Sequence, residues 1–428
     1  MTDSEYQQQS KLANESRKAG NFQEALKIYA QLWDKKEDSF VGSGLLYCLR
    51  KTDAYDKALE FGEILAGKYP NFQWAQIEYV WTQIHCNLDR LDPEKEFEPI
   101  LKIASKLMSG KLEDIAINHI VFKVLKAAKK NSRWDILNDW VDKINTSSLQ
   151  DTPMFSEDGR EGWSWKGLWS NYKIVGLVHL QQYPDALKYI EEALLLFPKQ
   201  KKFFLRSKAL IYKEQGHLAE SEAIYDGLCR HPNSDWWIRA EYSQVLILLK
   251  KDEKALIQYC LTCQSRTPLK SLVNVIFETG SLLKRSRKHS DALAHFSLSR
   301  FIRNENEWSI PAQLEASVKE LLAQAGCLPS NSMSEALAQC RGIWNNILKA
   351  NVAPPLLRRE IRGTVENLRE GQAFCFIRAE NDEAFFCLLR MLPKGVTNGT
   401  KVVFDAMESF DKKKNKKSWA VAKINNTY

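Results

Sequence analysis

Cys260 and Cys263, two residues apart, have the spacing of half a zinc site or of a redox dithiol. No second pair stands at zinc spacing, and Tyr259 beside them belongs to a helical apolar pattern, so packing is their expected role. His85-Cys86 is isolated in the same way. The seven histidines form no HExxH or HxH set, and there is no glycine-rich phosphate loop or Gly-x-Ser-x-Gly elbow. Carboxylates are scattered as on solvated helix surfaces. The expectation is a non-enzymatic chain with no metal or cofactor. One group of residues suggests binding chemistry: Lys412, Lys413, Lys414, Lys416 and Lys417 beside Trp419. Such a run neutralises phosphates and makes binding salt-sensitive, although a solvated hairpin tip has the same composition.

The elements that must carry these residues are organised by repetition. Gly20-Asn21-Phe22-Gln23-Glu24-Ala25-Leu26-Lys27-Ile28-Tyr29 has a turn glycine, an aromatic, a small residue three positions on and another aromatic four later. The phrase returns as Tyr55/Ala58, Tyr183/Ala186/Ile190, Leu218/Ser221/Tyr225, Ala255/Tyr259 and His289/Ala292/Phe296. The small residues lie 33 apart from 25 to 58, then 35, 34 and 37 apart along 186, 221, 255 and 292. Pro70, Pro198, Pro232 and Pro268 close several units. Antiparallel helices approach closely only where a small residue sits at their crossing, and proline ends the second helix.

This pattern resembles the tetratricopeptide repeat, whose period is about 34 residues. The resemblance implies a mostly α chain in which helix pairs stack into a solenoid over residues 1–352, with a groove that takes a protein or peptide. Ala58 and Ala186 are 128 residues apart, so three degenerate units are expected between them. Helices are expected there at Gln73 to Cys86, Glu94 to Met108, Leu112 to Lys129 and Trp134 to Ile144. A polar insertion at 145–162 reads as an exposed loop, with Trp163 and Trp165 at its border as anchors rather than partner contacts. Two capping helices are expected over 311–352, at Pro311 to Ala325 and Ser334 to Val352.

Pro354-Pro355 ends the helical pattern, and 353–360 reads as a linker. From 361 to 428 the period changes to two, with strands expected at Arg362–Leu368, Gln372–Ala379, Ala384–Leu389, Lys401–Ser409 and Ser418–Ile424. Five short strands suggest an OB-type barrel. Alternation sets Phe374, Phe376 and Phe385 on one side and Ile377 and Phe386 on the other, and one apolar face is then spare for binding.

Arg362-Gly363-Thr364-Val365, Gln372-Ala373-Phe374-Cys375-Phe376-Ile377, Ala384-Phe385-Phe386-Cys387-Leu388 and Asn398-Gly399-Thr400-Lys401-Val402-Val403-Phe404 resemble the strands of a cold-shock domain. The resemblance implies RNA or single-stranded DNA stacked on aromatics, with Phe374, Phe376 and Phe385 as the platform and Arg362, the lysine run and Trp419 as further contacts. Glu366 and Asn367 replace the family's first-strand lysine and tryptophan, and Cys387 and Leu388 its third-strand histidine and phenylalanine. Weaker stacking is implied, and a pure protein-docking module is the competing expectation. An accessory subunit of an RNA-processing or defence enzyme is a third.

The chain has 428 residues, 44% hydrophobic, with net charge +8 and nine cysteines without framework spacing. A buried core is therefore expected, and the charge is a modest pointer to a polyanion. The polar start and the lack of an apolar run near ~18 residues lead us to expect a cytoplasmic protein without a membrane span. Three basic clusters in the helical region are Lys123/Lys126/Lys129/Lys130/Arg133, Lys199/Lys201/Lys202/Arg206 and Lys284/Arg285/Arg287/Lys288. They suit solvated helix ends. They become a nucleic-acid stripe only if folding aligns them.

Overall fold

The computed structural model describes residues 2–110, 112–156, 158–230, 234–323, 328–351, 357–369, 371–411 and 416–428. The chain divides into two compact units, Met1–Ser234 and Asp235–Tyr428.

The first unit is built of antiparallel helix pairs. These are α1 (Asp3–Lys18) with α2 (Phe22–Lys35) and α3 (Ser39–Lys51) with α4 (Tyr55–Lys68), then α5 (Gln73–Gln83), whose continuation Ile84–Leu88 meets α6 (Phe97–Met108). Then come α7 (Asp114–Lys130) with α8 (Trp134–Val141), α9 (Trp165–His179) with α10 (Tyr183–Leu196), and α11 (Lys201–Glu214) with α12 (Leu218–Cys229). The second unit continues with α13 (Trp236–Leu248) and α14 (Asp252–Cys263), then α15 (Leu269–Arg285) and α16 (His289–Glu305). Its last helices are α17 (Ala312–Leu322) and α18 (Met333–Asn351); α17 packs on α16, and α18 on α14 and α16.

The repeated small residues sit where the pattern requires. Ala25, Ala58, Ala186, Ser221, Ala255 and Ala292 all lie on second helices and are fully buried. The turns repeat as well. Gly20, Asp53, Ser132, Gln181, Gly216, Lys250 and Arg287 each precede a second helix by two positions and all have positive φ. The next amide bonds back five residues, as Ala54 N–H does to Leu49 O and Lys251 N–H to Leu246 O. A left-handed residue followed by that bond satisfies the orphan carbonyls at a helix end.

Between α4 and α10 the structure has two helix pairs and the first helix of a third, not three further units. The expected helices are present, and the surplus length lies mostly in the 145–162 insertion. That segment carries one short helical turn (Thr146–Ser148) and an isolated bridge between Phe155 and Glu161. Trp163 anchors its end against Phe203 and Phe204, at ring distances of 5.1 and 5.8 Å, and Trp165 packs 4.8 Å from Phe122. α5 runs into a π-helical turn, Ile84–Leu88.

Close crossings leave no room for a methyl group at some first-helix positions. Gly44 on α3 faces the fully buried ring of Tyr29, and a Cβ there would lie inside that ring's contact surface. Gly44→Ala is therefore expected to destabilise the first unit. Overpacking against a ring with nowhere to retreat belongs at the upper end of the ~1–3 kcal/mol range. That exceeds the ~1 kcal/mol of helix propensity gained. A urea melt of the full chain reads it as a lowered first midpoint.

The strands are β1 (Leu357–Glu366), β2 (Phe374–Ala379), β3 (Ala384–Leu388), β4 (Lys401–Asp411) and β5 (Lys416–Thr427). β1 starts within the expected linker, and β4 and β5 extend further toward each other than the alternation indicated. They close a barrel in the order β1-β2-β3-β5-β4, with β3 parallel to β5 and every other pair antiparallel. That order suits an OB-type barrel. Its interior holds Val365, Cys375, Ile377, Ala379, Phe385, Cys387, Val402, Phe404, Ala406 and Val421.

Candidate interaction face of the barrel

Which phenylalanines face out follows from the β2–β3 register. Phe376 pairs with Phe386 and Phe374 with Leu388, while Ile377 pairs with Phe385 and Cys375 with Cys387. Residues directly opposite across an antiparallel ladder share a face. Phe374, Phe376 and Phe386 are therefore outside, with Phe374 and Phe386 37% and 36% exposed. Their rings touch: Phe374–Phe386 at 5.4 Å, Phe374–Phe376 at 5.9 Å and Phe376–Phe386 at 6.2 Å. Phe385 is the correction. It is 1% exposed and packs 5.1 Å from Phe404 in the core, so Phe386 takes the outer position expected of it. Alternation fixed the parity within each strand, but only the pairing links one strand's parity to the next.

The outer row continues beyond the aromatics. Phe386 pairs with Ala420, Ala420 with Met407, and Met407 with Leu357. Met407 and Leu357 are exposed. An apolar row thus crosses β2, β3, β5, β4 and β1. Glu366, next to Phe376 in the ladder, holds Arg378 at 2.8 Å, and Asp382 takes the same guanidinium at 3.1 Å. The Arg378 guanidinium is thereby paired with two carboxylates.

The other candidate contacts lie apart from the rings. Arg362 is exposed and lines an open cleft of about 260 Å³ with Arg358, Glu380 and Glu383. Two guanidiniums and two carboxylates balance there. Arg358 pairs with Glu383 at 2.5 Å and lies 3.9 Å over the Trp419 ring, covering one of its faces. Lys412, Lys413 and Lys414 lie outside the described residues. Lys416 and Lys417 are described only as backbone, paired with Asp411 and Phe410 at the head of β5.

No reactive group appears among the described thiols. Burial pushes Cys387 up to about 12 and raises Cys375. Cys260, also raised to about 12 by burial, and Cys263 are packed inside the second unit, as expected of them. His85 is less isolated than its sequence neighbours indicate. It and His119 contact the two oxygens of Asp89 at 2.7 and 2.8 Å. Burial works against the Asp89 carboxylate, yet the two imidazoles hold it well below the usual range. Among the described residues no set of three His, Cys, Asp or Glu side chains is placed to hold a metal ion, and no helix is long and apolar enough to cross a membrane.

Several solved structures are similar to the chain at low identity. A tetratricopeptide repeat protein from Parabacteroides merdae is 10% identical, covering 74% of this chain and 98% of its own, with a TM-score of 0.36. A thermophilic tetratricopeptide protein of Thermus thermophilus is 16% identical over 56% of this chain and 99% of its own, at 0.21. The TPR2AB domain of yeast Sti1, in a complex with pHSP90, is 12% identical over 75% and 100%, at 0.26. The helical part is a tetratricopeptide-like array. That statement rests on the chain's own helix pairs and their buried small residues. A family model described as a domain of unknown function (DUF7017) matches residues 202–333. No curated protein matches the chain.

Proposed function

We propose that this protein is a non-enzymatic cytoplasmic adaptor. Its tetratricopeptide-like array holds a protein partner, and its terminal barrel stacks single-stranded RNA or DNA on Phe374, Phe376 and Phe386. The observation that carries the second half is the outward cluster of three touching phenylalanine rings on a barrel whose core is already filled by other side chains. Three aromatics half open to water lose apolar hydration when a flat ring covers them, and every base has such a ring. The array half is supported by the stacked helix pairs and the small residues buried at their crossings.

The test is a titration of the full chain with labelled single-stranded oligonucleotides at two salt concentrations. Phe386→Ala is expected to weaken binding by ~1–3 kcal/mol, about 5- to 150-fold, for a lost stacking ring. A folded Phe376→Ala/Phe386→Ala protein with unchanged affinity would remove the barrel from the reading.

The apolar row through Ala420, Met407 and Leu357 favours a second reading, a protein-docking barrel. Met407 has no stacking value for a base but contributes to a protein interface. Met407→Asp separates the two, since it disrupts an apolar interface at once, whereas on a nucleic-acid face it acts only by repelling phosphate in low salt.

A further inference from the structure

The turn between β2 and β3 marks one end of the barrel, where Glu380 N–H donates to the Arg362 carbonyl at 3.3 Å. Ile361, Ala379 and Phe385 give the cleft there an apolar lining, and its other lining residues are polar or charged. Those charges are not two ion pairs. Glu383 holds Arg358 at 2.5 Å, and Arg358 is fixed further over the Trp419 ring. Arg362 and Glu380 are left over.

The β1–β2 register, which sets Gly363 against Ala379, places Arg362 opposite Glu380 on the next rung. Opposite charges facing across a ladder ordinarily pair. Yet both residues are exposed, and among the described residues neither side chain has an ion-pair or hydrogen-bond partner. One cleft thus offers an open guanidinium and an open carboxylate beside an apolar lining. The ring cluster leads to it. Phe374, Phe376 and Arg378 alternate outward along β2, and Glu380 continues that row ~13 Å beyond Phe376. A strand stacked on the rings and running along β2 meets the paired Arg378 first and the open pair at the rim.

We propose that this cleft reads one unpaired guanine, an inference that rests on the barrel binding a single strand. A carboxylate only accepts hydrogen bonds, and a guanidinium only donates them. Guanine sets two neighbouring donors, N1–H and the N2 amino group, next to two neighbouring acceptors, O6 and N7. Glu380 takes the donor pair and Arg362 the acceptor pair. Adenine, cytosine and uracil each have a lone pair beside their one donor group, and a carboxylate repels it. At about 260 Å³ the cleft is just below the ~300–1,000 Å³ of pockets that enclose a drug-sized ligand, which suits a single base.

The experiment titrates the full chain with fluorescein-labelled oligouridine and with the same oligomer carrying one guanosine. The guanosine oligomer is expected to bind about 5- to 150-fold tighter, the range for one bidentate base contact. Inosine at that position lacks the N2 amino group and should lose most of the gain. Glu380→Gln is expected to bring the two affinities together. Arg362→Lys should do the same, because it keeps the charge but not the planar fork. Phe376→Ala/Phe386→Ala is expected to weaken both oligomers and keep their ratio, so affinity tests the stacking face and the ratio tests the cleft. Ring-dependent binding with equal affinity for the two oligomers overturns the proposal and leaves the stacking face standing. A guanosine preference that persists in folded Glu380→Gln protein overturns it as well. Binding of neither oligomer removes both the cleft and the stacking face. Glu380-dependent binding of a mixed lysine–aspartate polymer, with no preference for guanosine, overturns it in favour of a peptide.

Discussion

Trp344→Ala is expected to cost the second unit about 4–5 kcal/mol, enough to release α18 from the array at ordinary temperature. Trp344 is 1% exposed, and its indole N–H lies 2.8 Å from Nε2 of His295, on α16. An indole nitrogen only donates, so Nε2 must accept. The imidazole proton is then on Nδ1, which donates at 2.7 Å to the Asp291 carbonyl. Both ring nitrogens of a fully buried histidine are satisfied in one tautomer, and the tryptophan fills the space between α16 and α18. Truncation opens a cavity and leaves an acceptor unpaired. Trp344→Phe keeps most of the volume and is expected to lose ~1–3 kcal/mol, the cost of the orphaned nitrogen alone. Urea melts followed by tryptophan fluorescence rank the three proteins, and equal midpoints for wild type and Trp344→Phe would deny the hydrogen bond.

The same pair makes a pH prediction. Burial lowers His295 to about 4. The unfolded histidine, near ~6.5, binds its proton first as pH falls. Stability contributed by the neutral ring is complete above ~6.5 and declines as pH drops toward 4, by about 3 kcal/mol. His295→Asn removes that part of the acid sensitivity, so the wild-type and variant midpoints should converge between pH 7 and 4.5. Parallel curves would show that the histidine is not buried neutral.

The array was legible because its determinants are local. A small residue about every 34 positions marks a helix crossing, and six of them are fully buried in the fold. The turns were half hidden: Gly20 and Gly216 announce a left-handed residue, but Asp53, Ser132, Gln181, Lys250 and Arg287 adopt it without a glycine's signature. The unit count between Ala58 and Ala186 went wrong because an insertion adds length without adding a helix. On the barrel, alternation located every strand. It was silent on register, which depends on contacts between residues distant in sequence.

Phe385→Ala and Phe386→Ala, adjacent in sequence, are expected to give opposite results. Phe385 sits in a ten-residue barrel core, paired to Ile377 and edge-on to Phe404 at 71°. Removing it costs ~3–5 kcal/mol for the cavity and ~0.5–1.5 more for the aromatic pair. A core this small supplies only about 3–5 kcal/mol of net stability, so the barrel is expected to unfold. Phe386 is 36% exposed and its ring neighbours are themselves open to water, so its loss should change stability by under ~1 kcal/mol. Hydrogen exchange on the full chain distinguishes them: protection across β2 and β3 should vanish in Phe385→Ala and survive in Phe386→Ala. The reverse outcome would mean a register one residue off, which turns every side chain of a strand to the other face. The ring cluster would then be core and the apolar row would lie inside. Because the binding variant Phe386→Ala is informative only if it leaves the barrel standing, this comparison decides whether a lost oligonucleotide affinity reports on the surface or on the fold.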